Sequence, residues 1–190
     1  NFLLKKMDII IIGGAMANTF VAAKGLDVGA SLFEKECIDL AKELIEKSQN
    51  NNCNLILPTD FIVSKNLKKN AEYTTANFDS LPHNMMALDI GPKSIELINK
   101  NINNCKTILW NGPLGAFETY PFDKGTNKVA SHVSTLTKQK KILSVAGGGD
   151  TVSALNNAKV LNDFSYVSTA GGAFLEWLEG KVLPGIEPIS

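Results

Sequence analysis

Six short apolar segments constrain the fold of this chain more than any other feature of its sequence. Each is typical of a β-strand, and the first three are followed at once by Gly13, Pro58 and Gly91. Because their apolar residues are largely consecutive rather than alternating, they indicate parallel strands that are covered on both faces. The six segments are Ile9–Ile12, Asn54–Leu57, Met86–Ile90, Thr107–Trp110, Ile142–Val145 and Tyr166–Ser168.

Patterns typical of amphipathic helices lie between these strands. The clearest begins with a predicted capping box, in which Ser31 caps the helix and Glu34 lies three residues on, and it continues to Ile45. The alternation predicts an α/β fold, a three-layer, Rossmann-like domain with a mainly parallel sheet of about six strands. Ser64–Pro82 has no clear periodicity, and it is predicted to form either a long excursion of the chain between two elements or a short β-hairpin. The other predicted helices are Ala15–Ala23, Ser94–Asn101, Thr126–Leu136, Thr151–Ala158 and Gly172–Glu179.

The composition indicates one compact domain that spans residues 1–190. With 44% of its 190 residues hydrophobic, the chain can bury a core of ordinary size. Its 19 basic and 19 acidic residues give a formal net charge of zero, which predicts neither a nucleic-acid nor an anionic-membrane partner. All 19 basic residues are Lys, so no guanidinium is available for bidentate contacts to phosphate. No apolar run reaches the roughly 20 residues that cross a bilayer.

The cysteines and the first residues bear on location and on the extent of the chain. Cys37, Cys53 and Cys105 are odd in number and widely spaced, which is typical of reduced thiols. We therefore expect a cytoplasmic protein.

Asn1–Asp8 have neither an initiator Met nor a secretory pattern and run directly into the first strand, so we expect the chain to begin partway through a longer protein.

The turns after the strands are where a ligand is expected. In open parallel sheets ligands bind beyond the carboxyl ends of the strands, and those positions are rich in glycine here. The glycine-rich turns are Gly13–Ala15, Gly91–Pro92, Asn111–Gly115, Gly147–Thr151 and Ala170–Gly172.

The turn Gly147–Thr151 is the strongest candidate for an anion site. It follows a strand and precedes a helix, so its glycines let the backbone pass close to a phosphate while free helical N–H groups point at it. Asp150, at or near the helix N-cap, offers a carboxylate to Mg²⁺, and Thr151 offers a hydroxyl to phosphate. The alternative is that Asp150 only caps its helix and the glycines only allow a tight turn.

Other catalytic signatures do not account for the chain. Neither the P-loop run G-x-x-x-x-G-K-[ST] nor the dinucleotide run G-x-G-x-x-G occurs in the sequence. His83 and His132 stand alone, without a Cys or His at ligand spacing, and they predict no base or metal site.

Seven blocks in a fixed order resemble the phosphoglycerate kinase family, and they cover nearly the whole chain. Such an ordered set is far more specific than any one block. The blocks are Gly13–Phe20, Leu57–Asp60, Leu88–Pro92, Trp110–Pro113, Gly115–Glu118, Gly147–Thr151, and Ser168–Gly172 followed by Leu178–Gly180.

The resemblance implies roles for the residues around the strongest turn. Gly148, Gly149 and Thr151 are the implied catalytic residues, which together with Asp150 contact the nucleotide phosphates. Asp150 serves Mg²⁺ through the nucleotide, and Asn111 lies near the transferring phosphate. The implied ligands are therefore Mg²⁺ and ADP or ATP.

The resemblance also implies a site for the nucleoside. Glu118 holds the ribose hydroxyls, because a carboxylate is a good acceptor for ribose O–H. Ala15 and Ala87 stand where the family often has glycine, and Ala116 replaces a usual valine, which changes the fine shape of the slot. The residues implied to line the adenine slot are Gly14, Ala15, Ala87, Leu88, Gly115 and Ala116.

By resemblance, the whole enzyme transfers a phosphoryl group reversibly between 1,3-bisphosphoglycerate and ADP, giving 3-phosphoglycerate and ATP in glycolysis. The phosphoglycerate is held by a basic N-terminal domain that this chain lacks, so we expect the chain to be inactive alone and the intact enzyme to be a monomer. Two alternatives remain: a non-catalytic nucleotide-binding fragment or paralogue, and an interaction domain with an empty site.

Overall fold

The computed structural model describes residues 2–168, 176, 180 and 181. Within these residues the chain forms five α-helices and eight β-strands, with three short 3₁₀ turns. In chain order the helices and strands are β1 Ile9–Ile11, α1 Gly14–Ala23, α2 Ile38–Asn50, β2 Asn54–Ile56, β3 Asp60–Ser64, β4 Thr74–Asn77, β5 Met86–Ile90, α3 Pro92–Ile102, β6 Thr107–Asn111, α4 Lys124–Lys138, β7 Leu143–Gly147, α5 Gly149–Asn157 and β8 Tyr166–Val167.

The strands pair in three hydrogen-bonded groups. β1 and β2 are parallel, and so are β6, β7 and β8, with Asn111 opposite Gly147 at the carboxyl end of β6 and β7. In the third group β3 lies between β4 and β5 and is antiparallel to both, with Phe61 opposite Ile90. The α/β, Rossmann-like class predicted from the sequence is confirmed. The strands are divided among smaller sheets, however, instead of forming one sheet of about six.

All six predicted strands are present, and β3 and β4 are additional. Ser64–Pro82 contains β4, which pairs antiparallel with the preceding strand β3 across residues 65–73. The segment is therefore one arm of a hairpin together with a long connection, and each of the two interpretations describes part of it. β4 has the sequence Thr-Thr-Ala-Asn and lies mostly exposed, so it carries no apolar pattern that could have predicted it.

The predicted capping box at Ser31 is wrong. α2 begins at Ile38, after a 3₁₀ turn, and no side-chain cap is formed there. Ser31 Oγ instead accepts a hydrogen bond from the backbone N–H of Ala87 (2.8 Å), and the N–H of Glu34 donates to Thr19 Oγ1 (3.1 Å). Long-range contacts to β5 and α1 therefore use the groups that a capping box would need.

Helices cover the strands on two sides. Ile11 of β1 packs against the largest apolar cluster, which includes Val129 of α4. Its neighbour Ile12 packs against two other clusters, one that includes Val21 of α1 and one that includes Phe20 of α1. Successive residues of a strand point to opposite faces, so β1 is covered on both, as the sequence predicts.

The predicted helix Gly172–Glu179 lies outside the described residues, except that Glu176 is helical. The predicted block Ser168–Gly172 is described only at Ser168, which is buried. Gly180 contacts the aromatic ring of Phe2 so closely that a Cβ atom would lie 2.7 Å from Phe2 Cε2.

Candidate functional site

A cavity of about 410 Å³ lies between α1, β5 and the loop after β6, and it is called the base cavity below. All six residues assigned to the adenine slot line it: Gly14, Ala15, Ala87, Leu88, Gly115 and Ala116. Its volume falls in the usual range for small-molecule sites. The other lining residues, several of them apolar, are Gly13, Asn18, Leu32, Phe61, Leu67, Met86, Asp89, Pro113 and Leu114.

Close backbone approach shapes this cavity. A Cβ atom at Gly13 would lie 2.6 Å from Leu114 Cδ2, and one at Gly115 would lie 2.8 Å from the Cα of Asp89. The backbone N–H of Gly14 donates to the carbonyl of Leu114 (3.1 Å), which joins the start of α1 to the loop after β6. Glycine at these positions therefore lets three segments meet around a narrow slot.

Asp89 lies beneath the base cavity and was not predicted as a site residue. The residue is 2% exposed, and its carboxylate accepts hydrogen bonds from the backbone N–H of Gly125 (2.6 Å) and of Ile90 (2.9 Å). Burial raises the pKa of Asp89 to about 7, even though the two N–H donors act in the opposite direction. The available sequence signal was one carboxylate inside the apolar run Met86–Ile90.

The predicted phosphate turn begins α5. Gly148 has φ +92° and occupies the N-cap position, and the helix starts at Gly149. Thr151 is 1% exposed, and its Oγ1 accepts a hydrogen bond from the backbone N–H of Gly112 (2.7 Å). Asn111 contacts the same turn, because a Cβ atom at Gly148 would lie 2.8 Å from Asn111 Oδ1.

Asp150 lies in the first turn of α5, and its side chain is exposed. The N-cap residue is Gly148, and no side-chain cap hydrogen bond is formed. Asp150 therefore lies near the N-cap, as predicted, but is not the cap itself, and its role toward a ligand stays a prediction.

A magnesium ion fits Asp150 only together with a phosphorylated ligand. No group of three or more His, Cys, Asp or Glu side chains able to hold a metal occurs in the part of the chain that the structure describes. Mg²⁺ commonly binds through one or two carboxylates plus substrate phosphates, and an exposed carboxylate beside a helix N-terminus matches that donor set.

Glu118 lies outside the base cavity, in a neighbouring pocket of about 340 Å³ that is called the Glu118 pocket below. Its side chain is exposed. Two lysines from the β3–β4 loop share this pocket, and sequence reasoning missed them because that loop has no periodicity. The lining residues are Lys68, Lys69, Phe117, Glu118, Thr119, Tyr120, Asp123 and Asn157.

One loop joins the phosphate turn to both cavities. Asn111 and Gly112 contact the start of α5, Pro113 to Ala116 line the base cavity, and Glu118 follows two residues later. The loop is fixed at two points near its middle: the N–H of Leu114 donates to Thr126 Oγ1 (3.0 Å) and the N–H of Ala116 donates to the carbonyl of Leu88 (2.8 Å).

Within the described residues, none of the helices has the length and apolar character that crossing a membrane requires. Cys37, Cys53 and Cys105 are free thiols, of which Cys53 is buried.

Solved structures of other proteins share this architecture. The structure of phosphoglycerate kinase from Coxiella burnetii superposes with a TM-score of 0.93 at 43% identity, covering 98% of this chain and 47% of that one. Phosphoglycerate kinase from Pyrococcus horikoshii gives a TM-score of 0.76 at 26% identity, with 95% and 44% covered.

Curated sequences agree with the structural matches. A phosphoglycerate kinase of Methylorubrum extorquens strain PA1 is 54% identical over 187 residues, which are 98% of this chain and 47% of the relative. One from Brucella melitensis is 54% identical over 185 residues, 97% of this chain and 47% of the relative. The chain thus spans about half the length of these relatives. The family model for phosphoglycerate kinase matches residues 1–181, and the chain belongs to the phosphoglycerate kinase family.

Proposed function

We propose that the chain supplies the Mg-ADP and Mg-ATP site of a phosphoglycerate kinase. The whole enzyme would be a phosphotransferase of glycolysis that exchanges a phosphoryl group between 1,3-bisphosphoglycerate and ADP, giving 3-phosphoglycerate and ATP. One observation carries the proposal: the loop from Asn111 to Ala116 contacts the start of α5 at one end and lines the base cavity at the other. A nucleotide likewise has a polar phosphate end and a flat apolar base.

The start of α5 would bind the phosphates. The first N–H groups of a helix lack partners within the helix, and the helix dipole favours negative charge there. Gly149 is exposed, and a Cβ atom added to it would meet nothing within 4 Å, so the approach to these N–H groups is open. Since Thr151 Oγ1 accepts from the N–H of Gly112, its own O–H stays available to donate to a phosphate oxygen.

Asp150 would hold Mg²⁺ together with phosphate oxygens, and the bound ion would neutralise charge on the phosphates. Asn111, whose Oδ1 lies beside Gly148, is close enough to the turn to orient the transferring group. Phosphoryl transfer depends on positioning and on fixed charges that stabilise the transition state, and the helix start provides both.

The base cavity and Glu118 would hold the nucleoside. Small and apolar side chains at Ala15, Ala87 and Ala116 leave room for a flat base, while the exposed Glu118 carboxylate would accept ribose O–H groups.

The isolated chain would bind Mg-nucleotide without turning over. All of its 19 basic residues are Lys, so the bidentate cations that commonly clamp transferring phosphates must come from elsewhere. The phosphoglycerate would be held by the part of the enzyme that this chain lacks. We infer a cytoplasmic enzyme that is monomeric when intact and has no nucleic-acid or membrane partner.

Titration of the 190-residue chain with Mg-ADP by calorimetry tests the proposal. Glu118→Ala and Asp150→Ala should each weaken binding about tenfold, roughly 1.4 kcal/mol, because each removes an exposed acceptor or metal ligand. Asp39→Ala is the matched control, since Asp39 is an exposed acid on α2 that lines neither cavity. Binding that is undetectable, or unchanged in both site variants, would refute the assignment, and kinase turnover by the purified chain would refute its inactivity.

A further inference from the structure

The wall of the base cavity that α1 forms carries a buried amide side chain, that of Asn18. Asn18 is 3% exposed and lines the cavity together with Gly14 and Ala15 of the same helix. Residues three and four apart on a helix lie on the same face, so these three residues form one strip of the wall. Asn18 therefore lies one turn beyond the two α1 residues that are assigned to the adenine slot.

The hydrogen bond of Asn18 determines which way its amide points. Nδ2 donates to the backbone carbonyl of Leu32 (3.0 Å), and the amide oxygen could not take this place because it carries no hydrogen. Oδ1 therefore points away from that carbonyl, and no residue in the described part of the chain donates a hydrogen bond to it. The oxygen is not sealed off by protein atoms, and since Asn18 lines the base cavity, a ligand there has access to Oδ1.

The other polar side chain of the cavity lining, Asp89, is already occupied. Its Oδ1 accepts from the N–H of Ile90 (2.9 Å) and its Oδ2 from the N–H of Gly125 (2.6 Å). A Cβ atom at Gly115 or Gly125 would collide with this carboxylate, so it is also enclosed. The remaining lining residues are glycines, a proline or residues with apolar side chains. Among the described residues, Asn18 Oδ1 is thus the side-chain acceptor that the base cavity offers to a ligand.

The purine bases differ in what they present to such an acceptor. Adenine carries an amine at position 6, which donates, whereas guanine and hypoxanthine carry a carbonyl there, which only accepts. Two acceptors that face each other form no hydrogen bond and both lose their contact with water, so a site built around one acceptor rejects the oxo base.

We propose that Asn18 makes the base cavity select a 6-aminopurine over a 6-oxopurine, with Oδ1 accepting a hydrogen bond from the amine. The bond to Leu32 holds the amide in the orientation that this selection requires. The proposal rests on the proposed function, because it needs the base of the nucleotide in the base cavity.

Calorimetric titration of the 190-residue chain with three Mg-nucleotides tests the selection. ADP carries the amine, inosine diphosphate carries a carbonyl in its place, and purine riboside 5′-diphosphate carries only hydrogen at position 6. The ribose and the diphosphate are the same in all three, so a difference in affinity reports on the base alone. ADP should bind about tenfold more tightly than either of the others. Equal affinities, or tighter binding of inosine diphosphate, would overturn the proposal.

Asn18→Leu assigns the selection to this residue, because it removes the amide with little change in volume. The matched control is Leu32→Ala, which shortens a lining side chain that is 77% exposed and keeps the backbone carbonyl that Asn18 binds. In Asn18→Leu the preference for ADP should fall below about threefold. In Leu32→Ala all three nucleotides should weaken by similar factors, so that the preference remains.

The ratio of affinities separates selection from a merely structural role, since a distorted cavity would weaken all three nucleotides alike. A preference for ADP that survives in Asn18→Leu would refute the role of Asn18. Circular dichroism checks that the variant folds, and if it does not, the comparison of the three nucleotides on the parent chain decides the proposal. Binding of ADP without a preference would overturn this inference alone, whereas failure of all three nucleotides to bind would overturn the proposed function with it.

Discussion

Two adjacent glycines at the start of α5 are under different constraints. Gly148 has φ +92°, which side-chain-bearing residues rarely adopt, and a Cβ atom there would lie 2.8 Å from Asn111 Oδ1. Gly149 lacks both restrictions, since its φ is ordinary and a Cβ atom would meet nothing within 4 Å. The backbone path of the turn therefore requires glycine at position 148 but not at 149.

Gly148→Ala should lower the free energy of unfolding by about 1–3 kcal/mol, because alanine is strained at this φ and crowds Asn111. It should also weaken ADP binding about tenfold, since the turn would change shape. Denaturant unfolding and ADP titration measure the two effects. Gly149→Ala is the control and should change stability by less than about 1 kcal/mol. Equal losses in the two variants would contradict the account of the turn.

Asp89 should lower the stability of the folded chain as the pH rises, which is the opposite of the usual effect of an Asp side chain. Burial raises its pKa to about 7, whereas an Asp in an unfolded chain titrates near pH 4. Between these values the folded chain keeps a proton that the unfolded chain has lost, so the contribution of Asp89 to stability is complete below about pH 4 and declines as the pH rises to about 7.

Asp89→Asn removes this titration, so comparison with the parent chain isolates it. The free energy of unfolding of the parent relative to the variant should fall by up to about 1.4 kcal/mol per pH unit between about pH 4 and 7. Denaturant unfolding at several pH values measures it. A difference that stays constant across this range would show that burial does not raise the pKa of Asp89.

One buried carboxylate binds the backbone at the start of helix α3. Asp60, which is 1% exposed, accepts hydrogen bonds from the N–H of Lys93 (3.1 Å), and from both the N–H (2.7 Å) and the hydroxyl (2.7 Å) of Ser94. The carboxylate thus satisfies free N–H groups at the start of the helix and complements its dipole. Gly91 is needed beside it, because a Cβ atom there would collide with the carboxylate.

Asp60→Ala should lower the free energy of unfolding by about 2–4 kcal/mol, because it leaves buried donors without an acceptor. Asp39→Ala is the matched control: Asp39 also lies in the first turn of a helix, but its side chain is 94% exposed and pairs only with Lys42. That change should cost less than about 1 kcal/mol. Denaturant unfolding of both variants checks the prediction, and similar losses would contradict the role of Asp60.

The elements that the sequence predicted well are those with a strong local pattern. The apolar runs of β1, β5 and β7 stand out against their neighbours, and all were found within two residues of their positions. β4 is polar and exposed, so nothing local distinguishes it. Ser31 was misassigned because its hydroxyl is used by Ala87, 56 residues away, and a local pattern contains no information on such a contact.

The site residues, like the helices and strands, fall into those that were predicted from the sequence and those that were missed. Glycines after strands predicted the turn at Gly148, because strand ends converge in this class of fold. The residues that line the base cavity were predicted from the family resemblance. Asp89 was missed because its raised pKa arises from burial. Lys68 and Lys69 were missed because only the path of the β3–β4 loop brings them to the Glu118 pocket.

At the scale of the whole molecule, the proposed function makes the described residues one half of a site for phosphoryl transfer. The helix start of α5, the base cavity and the Glu118 pocket lie along a single loop, Asn111 to Tyr120, so the proposed nucleotide would contact all three. The chain spans about half the length of its curated relatives, and we propose that the cations and the second substrate site lie in the remainder.

The most direct test of the central claim is to map Mg-ADP binding on the 190-residue chain by backbone amide NMR. The amides of Gly148 to Thr151 should shift on titration, together with those of Ala15, Ala87 and Ala116. Amides of β8 and of the N-terminal residues 2–8, which line neither cavity, should not shift. Shifts that are absent from the start of α5, or that are confined to residues outside both cavities, would contradict the assignment of this chain as a nucleotide site.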